Sequence, residues 1–321
     1  MASGRSSASS ARRKTRGADP REAPRRPVID GVAITHPERV VYPGLSVTKL
    51  MVAEYYARVS ERLLPFIAGR PLAILRCPEG LAGECFFQKH VGRRSIPGID
   101  VVMIDESTGR NPYALVDNAE ALVSLAQWNA LELHAWGSTA PEIDRPDTLV
   151  FDLDPDAALP WGTVVDAARA TRALLDTAGL ASFVKTTGGK GLHVVVPLER
   201  RQSWDEAREF ARGVALALVA KSPERFTATS GESNRRGRIF VDYLRNARGA
   251  TAVAPYSLRA RPGATVATPL SWDELSARVP PASFTIGTVP ERIRRKRDPW
   301  TGYAARRQRL TASAWRVLRG R

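Results

Sequence analysis

The sequence predicts an α/β (α+β) fold in which mixed, partly antiparallel sheets are flanked by helices. Apolar residues switch between a helical period and short strand-like runs, without the strict strand–helix–strand rhythm of a doubly wound sheet. A glycine-rich turn joins two of these runs directly, over residues 186–193, as a hairpin does. The 321 residues, 43% hydrophobic and 25% charged, suffice for one large domain or two small ones.

The elements follow in order. Residues 1–27 are Ser, Ala, Arg and Pro without periodicity, and read as a disordered basic tail. Ser46 is placed to cap a helix over 47–67, where Leu50, Ala53, Tyr56, Val59 and Leu63 recur at helical spacing. Strands are expected over 71–76 and 85–88, a surface loop containing a strand over 91–111, and a mostly helical, buried segment over 115–136. The apolar run 148–154 reads as a strand and 161–178 as a helix ended by Gly179. Strands over 182–185 and 192–197 flank the glycine turn, and a helix follows over 204–221. A mobile polar loop is expected over 227–237, a strand over 238–243, an extended piece over 252–255 and a short helix over 272–279. The catalytic unit is expected over 28–300, with a basic helix or tail over 301–321.

Composition narrows the function classes. No apolar run approaches the roughly 20 residues of a membrane span, and the N-terminus lacks a secretory apolar core, so a soluble, cytoplasmic protein with no membrane partner is expected. Cys77 and Cys85 read as two reduced thiols, and no Cys/His spacing suits a zinc site. The net charge of +15 points to a polyanionic partner. It lies in the ends, +6 over residues 1–27 and +9 over 291–321, which predicts salt-sensitive, non-specific nucleic-acid affinity.

Phe151-Asp152-Leu153-Asp154-Pro155 is the most informative stretch. Alternate side chains of a strand share a face, so Asp152 and Asp154 point together while Phe151 and Leu153 face the core. Two carboxylates so close repel unless a cation sits between them, and a divalent metal fills that place. Asp242 ends another short apolar strand and supplies a third carboxylate. Three carboxylates with triphosphate oxygens can hold two Mn²⁺ or Mg²⁺ ions, one activating a 3′-hydroxyl and one steadying pyrophosphate.

In the turn Thr186-Thr187-Gly188-Gly189-Lys190-Gly191-Leu192-His193, the glycines allow close backbone approach to a ligand. Lys190, the Thr187 hydroxyl and exposed N–H groups suit phosphate, and His193 can donate to a triphosphate oxygen. The Walker A spacing is absent. Of the later arginines, Arg259 offers a bidentate fork for a triphosphate.

In order along residues 30–300, these stretches resemble the polymerase domain of bacterial ATP-dependent DNA ligase D, of the archaeo-eukaryotic primase superfamily. The matching residues are VVYP (40–43), Thr48-Lys49, FFQK (86–89), VFDLDP (150–155), TTGGKGLHV (186–194), IFVDY (239–243) and VAPYSLRAR (253–261). The resemblance implies a primase-polymerase fold, with Asp152, Asp154 and Asp242 as catalytic metal ligands. It implies that Thr187, Lys190, His193 and Arg259 bind the incoming nucleotide, and that Phe86 and Phe87 stack on the template. It implies that Lys49 and Arg39 hold the 5′-phosphate of the downstream strand; family members often carry lysine where Arg39 stands. It also implies a preference for ribonucleotides and Mn²⁺, and gap filling in non-homologous end joining with Ku and a separate ligase. The chain departs from the family at Ala250, where a longer polar side chain is common. It has no K-x-D-G ligase nucleophile motif, which favours a stand-alone polymerase. The competing readings are a catalytically idle DNA-end-binding module that recruits a ligase, and a template-free phosphohydrolase built on the acidic pair.

Overall fold

A computed structural model describes residues 26–92, 96 and 98–319. The expected tail over 1–27 lies almost wholly outside the described residues. Two short ribbons open the fold: β1 (Val28–Ile29) with β2 (Val32–Ala33), and β3 (Val40–Tyr42) with β4 (Val47–Thr48). Helix α1 (Lys49–Ile67) follows; Ser46 does not cap it. Ser46 is left-handed at φ 52°, closing the turn before β4, and Thr48 accepts the Met51 N–H instead. Val52, Tyr55, Tyr56, Val59, Leu63 and Ile67 recur three or four residues apart and bury one face of α1.

The first large sheet holds β5 (Leu72–Arg76), β6 (Phe86–Gln88), β7 (Asp100–Glu106), β8 (Gly109–Leu115), β9 (Ala130–Trp136) and a late arrival, β15 (Thr251–Val253). Its order is β15-β9-β5-β8-β7, with β6 beside β5. Two expectations are corrected here. The stretch 91–111 carries most of the β7–β8 hairpin rather than a loop with one strand. The segment 115–136 divides into α2 (Ala119–Gln127) and β9, because Asn129 turns the chain at φ 63°.

The second sheet contains β10 (Thr148–Pro155), β11 (Phe183–Thr186), β12 (Leu192–Pro197), β13 (Phe226–Thr227), β14 (Ile239–Asp242) and β16 (Pro269–Leu270), ordered β13-β14-β10-β12-β11-β16. All its pairings are antiparallel except β13 with β14. Helix α3 (Trp161–Thr177) packs on β12 and α4 (Trp204–Lys221) on β10. Ser203 and Glu206 form a reciprocal capping box at the start of α4. Leu149, Phe151 and Leu153 are fully buried, and the opposite face of β10 turns toward the first sheet.

Three further expectations change. The segment 227–237 contains a short helix, α5 (Glu232–Arg235). Residues 272–279 form turns rather than the expected short helix; α6 (Thr288–Arg295) follows, and within 301–321 the chain forms α7 (Ala312–Arg319), which packs on α4. Cys77 and Cys85 form a disulfide rather than two free thiols. Arg76 and Phe86 are paired across β5 and β6, so the next rung brings the cysteines' Cα atoms to 4.3 Å. Among the described residues, no helix is long and apolar enough to cross a membrane.

Beside Val150 the β10 edge has no strand partner, because β14 pairs only with Asp152–Pro155. The buried Asn246 substitutes for one: its Oδ1 accepts the Val150 N–H and its Nδ2 donates to the Val150 carbonyl, both at 2.8 Å. Asn246→Ala leaves both backbone groups buried without partners. It is expected to cost about 3 kcal/mol of unfolding free energy in urea titrations, and to do so with all three carboxylates intact.

Candidate active site and nucleotide cleft

The strand registers line up a row of four residues. Lys185 opposes His193, His193 opposes Asp152, and Asp152 opposes Asp242, across β11, β12, β10 and β14. Directly paired residues project to the same face, so the row faces the first sheet. Asp154 lies two residues beyond Asp152 on the same face of β10. The cleft between the sheets measures about 190 Å³. Asp152, Asp154, the 187–193 turn and Arg245 line one side, His134 and Val253 the other.

Each carboxylate faces a cation. The Arg245 Nε lies 3.1 Å from Asp242 and 3.4 Å from Asp152, bridging the pair. Arg235 pairs with Asp154 Oδ2, and the Lys190 Nζ lies 3.8 Å from Oδ1. Burial alone would raise the Asp152 pKa, but His193 first, then Arg245 and Lys185, hold it below the usual carboxylate range. Burial, reinforced by Lys185, pushes the neighbouring His193 down to about 4. His193 is therefore neutral at pH 7, and Arg245 is the cation in direct contact with Asp152. Asp242 is raised, first by burial. Burial also depresses the Lys185 ammonium, to about 7.

The turn is shaped by the protein's own packing. Gly188 has φ 67°, and a Cβ there would stand 2.6 Å from the Arg259 side chain. At Gly191 a Cβ would meet the Leu153 carbonyl at 2.5 Å. Thr187 Oγ1 donates to the Gly191 carbonyl and accepts the Gly189 N–H, so it folds the turn as well as lining the cleft.

Arg259 is partly buried, donates to the Thr187 carbonyl, and lies 3.0 Å from Glu132 of β9. It thereby ties the turn on one sheet to the other sheet. Glu132 also accepts from the Ala260 N–H and meets His134 at 2.8 Å. His134 and Arg235 are missing from the sequence-based site. Reading 115–136 as helix hides the period-2 pair Glu132 and His134, while Arg235 reaches Asp154 from a polar segment 81 residues away.

The other expected residues form two nearby groups. The buried Lys49 Nζ meets Thr35 Oγ1 at 3.4 Å. Burial, then the charge of Arg39, lowers its pKa to about 8. Arg39 donates to the Pro78 carbonyl at 2.8 Å. Phe86 and Phe87 are both exposed, at 41% and 61%, so neither is a core residue. Edge strand β6 leaves them free. The Arg76 guanidinium lies between Phe86 and Trp128, and Phe87 meets the His134 ring edge-on at 5.0 Å.

A family model described as "LigD, primase-polymerase domain" matches residues 48–300. The chain is similar to the multifunctional non-homologous end joining protein LigD of Pseudomonas aeruginosa, 44% identical over 90% of this chain and 34% of that protein. It is also similar to the bifunctional LigD of Bacillus subtilis, 32% identical over 86% of this chain and 44% of that protein. It thus spans about a third of the former and under half of the latter. A solved polymerase domain from Mycobacterium tuberculosis ligase D, in complex with DNA, superposes with a TM-score of 0.80 at 34% identity, covering 85% of this chain and 98% of that one. The fold is that of a primase-polymerase. The chain belongs to the LigD primase-polymerase domain family.

Glu132 carries a testable consequence. Burial opposes its ionisation, but His134, Arg259 and the Ala260 N–H hold its pKa near 2, against an ordinary 4.5. A depressed carboxylate stabilises the fold above its unfolded pKa and loses that contribution as pH falls from about 4.5 through 2. Glu132→Gln is expected to cost on the order of 3 kcal/mol at pH 7. Urea unfolding should show the gap between variant and wild type shrinking at pH 3.

Proposed function

We propose that this chain is a template-directed nucleotidyltransferase that fills short gaps at broken DNA ends during non-homologous end joining. The observation that carries the reading is Asp152 and Asp242 in direct register, with Asp154 on the same face, beside a turn that brings Lys190 to Asp154. Family membership supports nucleotidyl transfer as the chemistry. The division into a basic tail over 1–27, a catalytic unit over 28–300 and a basic segment over 301–321 is part of this proposal.

The donor chemistry fits a hard divalent cation, since all three side chains offer carboxylate oxygens. Among the described residues no three donors converge on one point; Arg245, Arg235 and Lys190 neutralise the carboxylates in their place. Asp152, Asp154 and Asp242 would hold Mn²⁺ or Mg²⁺. When bound, two such ions favour deprotonation of a primer 3′-hydroxyl and neutralise charge on the triphosphate.

The remaining work falls to the chain's own groups. Lys190 and Arg235, released from Asp154, are placed to take triphosphate oxygens, with Thr187 holding the turn in shape. His193, neutral, can donate its Nε2–H to Asp152 and fix that carboxylate's orientation. Arg259 acts through the turn and Glu132. Phe86 and Phe87 offer a stacking surface to template bases, each contact worth roughly 1–3 kcal/mol. Lys49 and Arg39, with no carboxylate on Lys49 among the described residues, suit the 5′-phosphate of gapped DNA. The substrates proposed are NTP or dNTP and gapped DNA, with Ku and a separate ligase as partners.

Extension of a labelled primer on a gapped duplex, with Mn²⁺ or Mg²⁺, tests the reading. Wild type should add templated nucleotides, and the Asp152→Ala, Asp154→Ala double variant should lose at least about 10³-fold in rate while still binding the duplex. Binding without addition under either metal would favour an end-binding module. In a companion measurement, Lys49→Ala should weaken binding to the 5′-phosphorylated gap about tenfold, and leave binding to the 5′-hydroxyl form unchanged.

A further inference from the structure

Lys185 is a buried cation that the proposed reaction does not use. Only 2% of it is exposed, and its Nζ has no hydrogen-bond partner among the described residues. Two partly buried cations near the cleft are paired, Arg70 with Asp147 and Arg259 with Glu132, whereas Lys185 is not. An unpaired charge in such a place is costly. It lines a small, mostly apolar cavity with Phe66, Trp136, Val150, Val195, Trp300 and Tyr303, into which Arg70, His193 and Arg245 also reach. Methionine would fill this space without the desolvation cost.

What Lys185 does have is the row. It stands two strands from Asp152 and three from Asp242, in register with both through His193. At the usual strand spacing its Cα lies about 10 Å from that of Asp152. Lys185 is itself almost wholly removed from solvent, so its charge acts over this distance with less screening than a surface charge would. Asp152 favours the charged form of Lys185, in opposition to burial. Along the row the signs run positive, neutral, negative, negative.

We infer that Lys185 is a positioning residue whose charge, acting from beneath the row, weakens its hold on a divalent cation and so sets the affinity of the site. This rests on the proposed metal-dependent reading. A cation entering at Asp152 and Asp242 is repelled by the ammonium below, and removing the ammonium makes the row a tighter trap.

The test is Mn²⁺ uptake by the full chain without nucleotide or DNA, followed at pH 6 by the electron paramagnetic resonance of free Mn²⁺. Lys185→Met is expected to lower the Mn²⁺ Kd about tenfold, with Tm unchanged or raised. Lys185→Arg should keep the wild-type Kd. A purely structural role predicts a lower Tm or weaker uptake, never tighter uptake. Wild-type uptake with an equal or higher Kd in Lys185→Met overturns this inference alone. A wild type that takes up no Mn²⁺, or takes it up equally after Asp152→Asn, Asp154→Asn, overturns the underlying reading and this inference with it.

Discussion

Two carboxylates set directly opposite each other on adjacent antiparallel strands cannot both stay ionised without a positive charge between them. The structure around β10 answers that constraint. Arg245 enters from the turn after β14 and touches both Asp152 and Asp242. His193, on the other side of Asp152, is kept neutral and adds no opposing charge. Asp154 has its own cations in Arg235 and Lys190. Arg245, Arg235 and Lys190 are also groups that a triphosphate attracts, so in the proposed reaction the residues that balance the charge of the free site would be the ones that meet the nucleotide.

The cleft depends on a second electrostatic joint. Glu132 on the first sheet holds Arg259, and Arg259 holds the turn at Thr187 on the second. The glycine turn is therefore fixed by contacts reaching across both sheets. Its glycines serve those contacts first: Gly188 makes room for Arg259 and Gly191 for β10. Close approach to a ligand and close approach to the protein's own backbone make the same demand on a sequence.

Much of this was legible beforehand, and the reasons are local. The run TLVFDLD announces β10 because Phe151 and Leu153 alternate with Asp152 and Asp154. The strands on either side of the glycine turn are equally plain. The row itself is not legible, since it depends on register between strands that no sequence period reports. The stretch 115–136 misleads because its Leu and Ala content suits a helix, and the break at Asn129 is a single backbone angle. The cysteines mislead for a different reason. Compartment chemistry argues for free thiols, while the β5–β6 pairing sets them side by side. Family resemblance directed attention to Arg39, Lys49, Phe86 and Phe87, which carry no distinctive local pattern; the structure shows two adjacent cations and two uncovered rings.

The closed loop between Cys77 and Cys85 has a geometric consequence. Arg39 is anchored to it at Pro78, and Phe86 leaves it directly after Cys85. Gly80, at its centre, is in close contact with the backbone of Val40 and Val41. Arg39 and the exposed Phe86 and Phe87 are therefore tied to one short, crosslinked span, which fixes the spacing between them. Inserting a residue between 78 and 84 would change that spacing, whereas lengthening the β7–β8 hairpin at the sheet edge would leave it untouched.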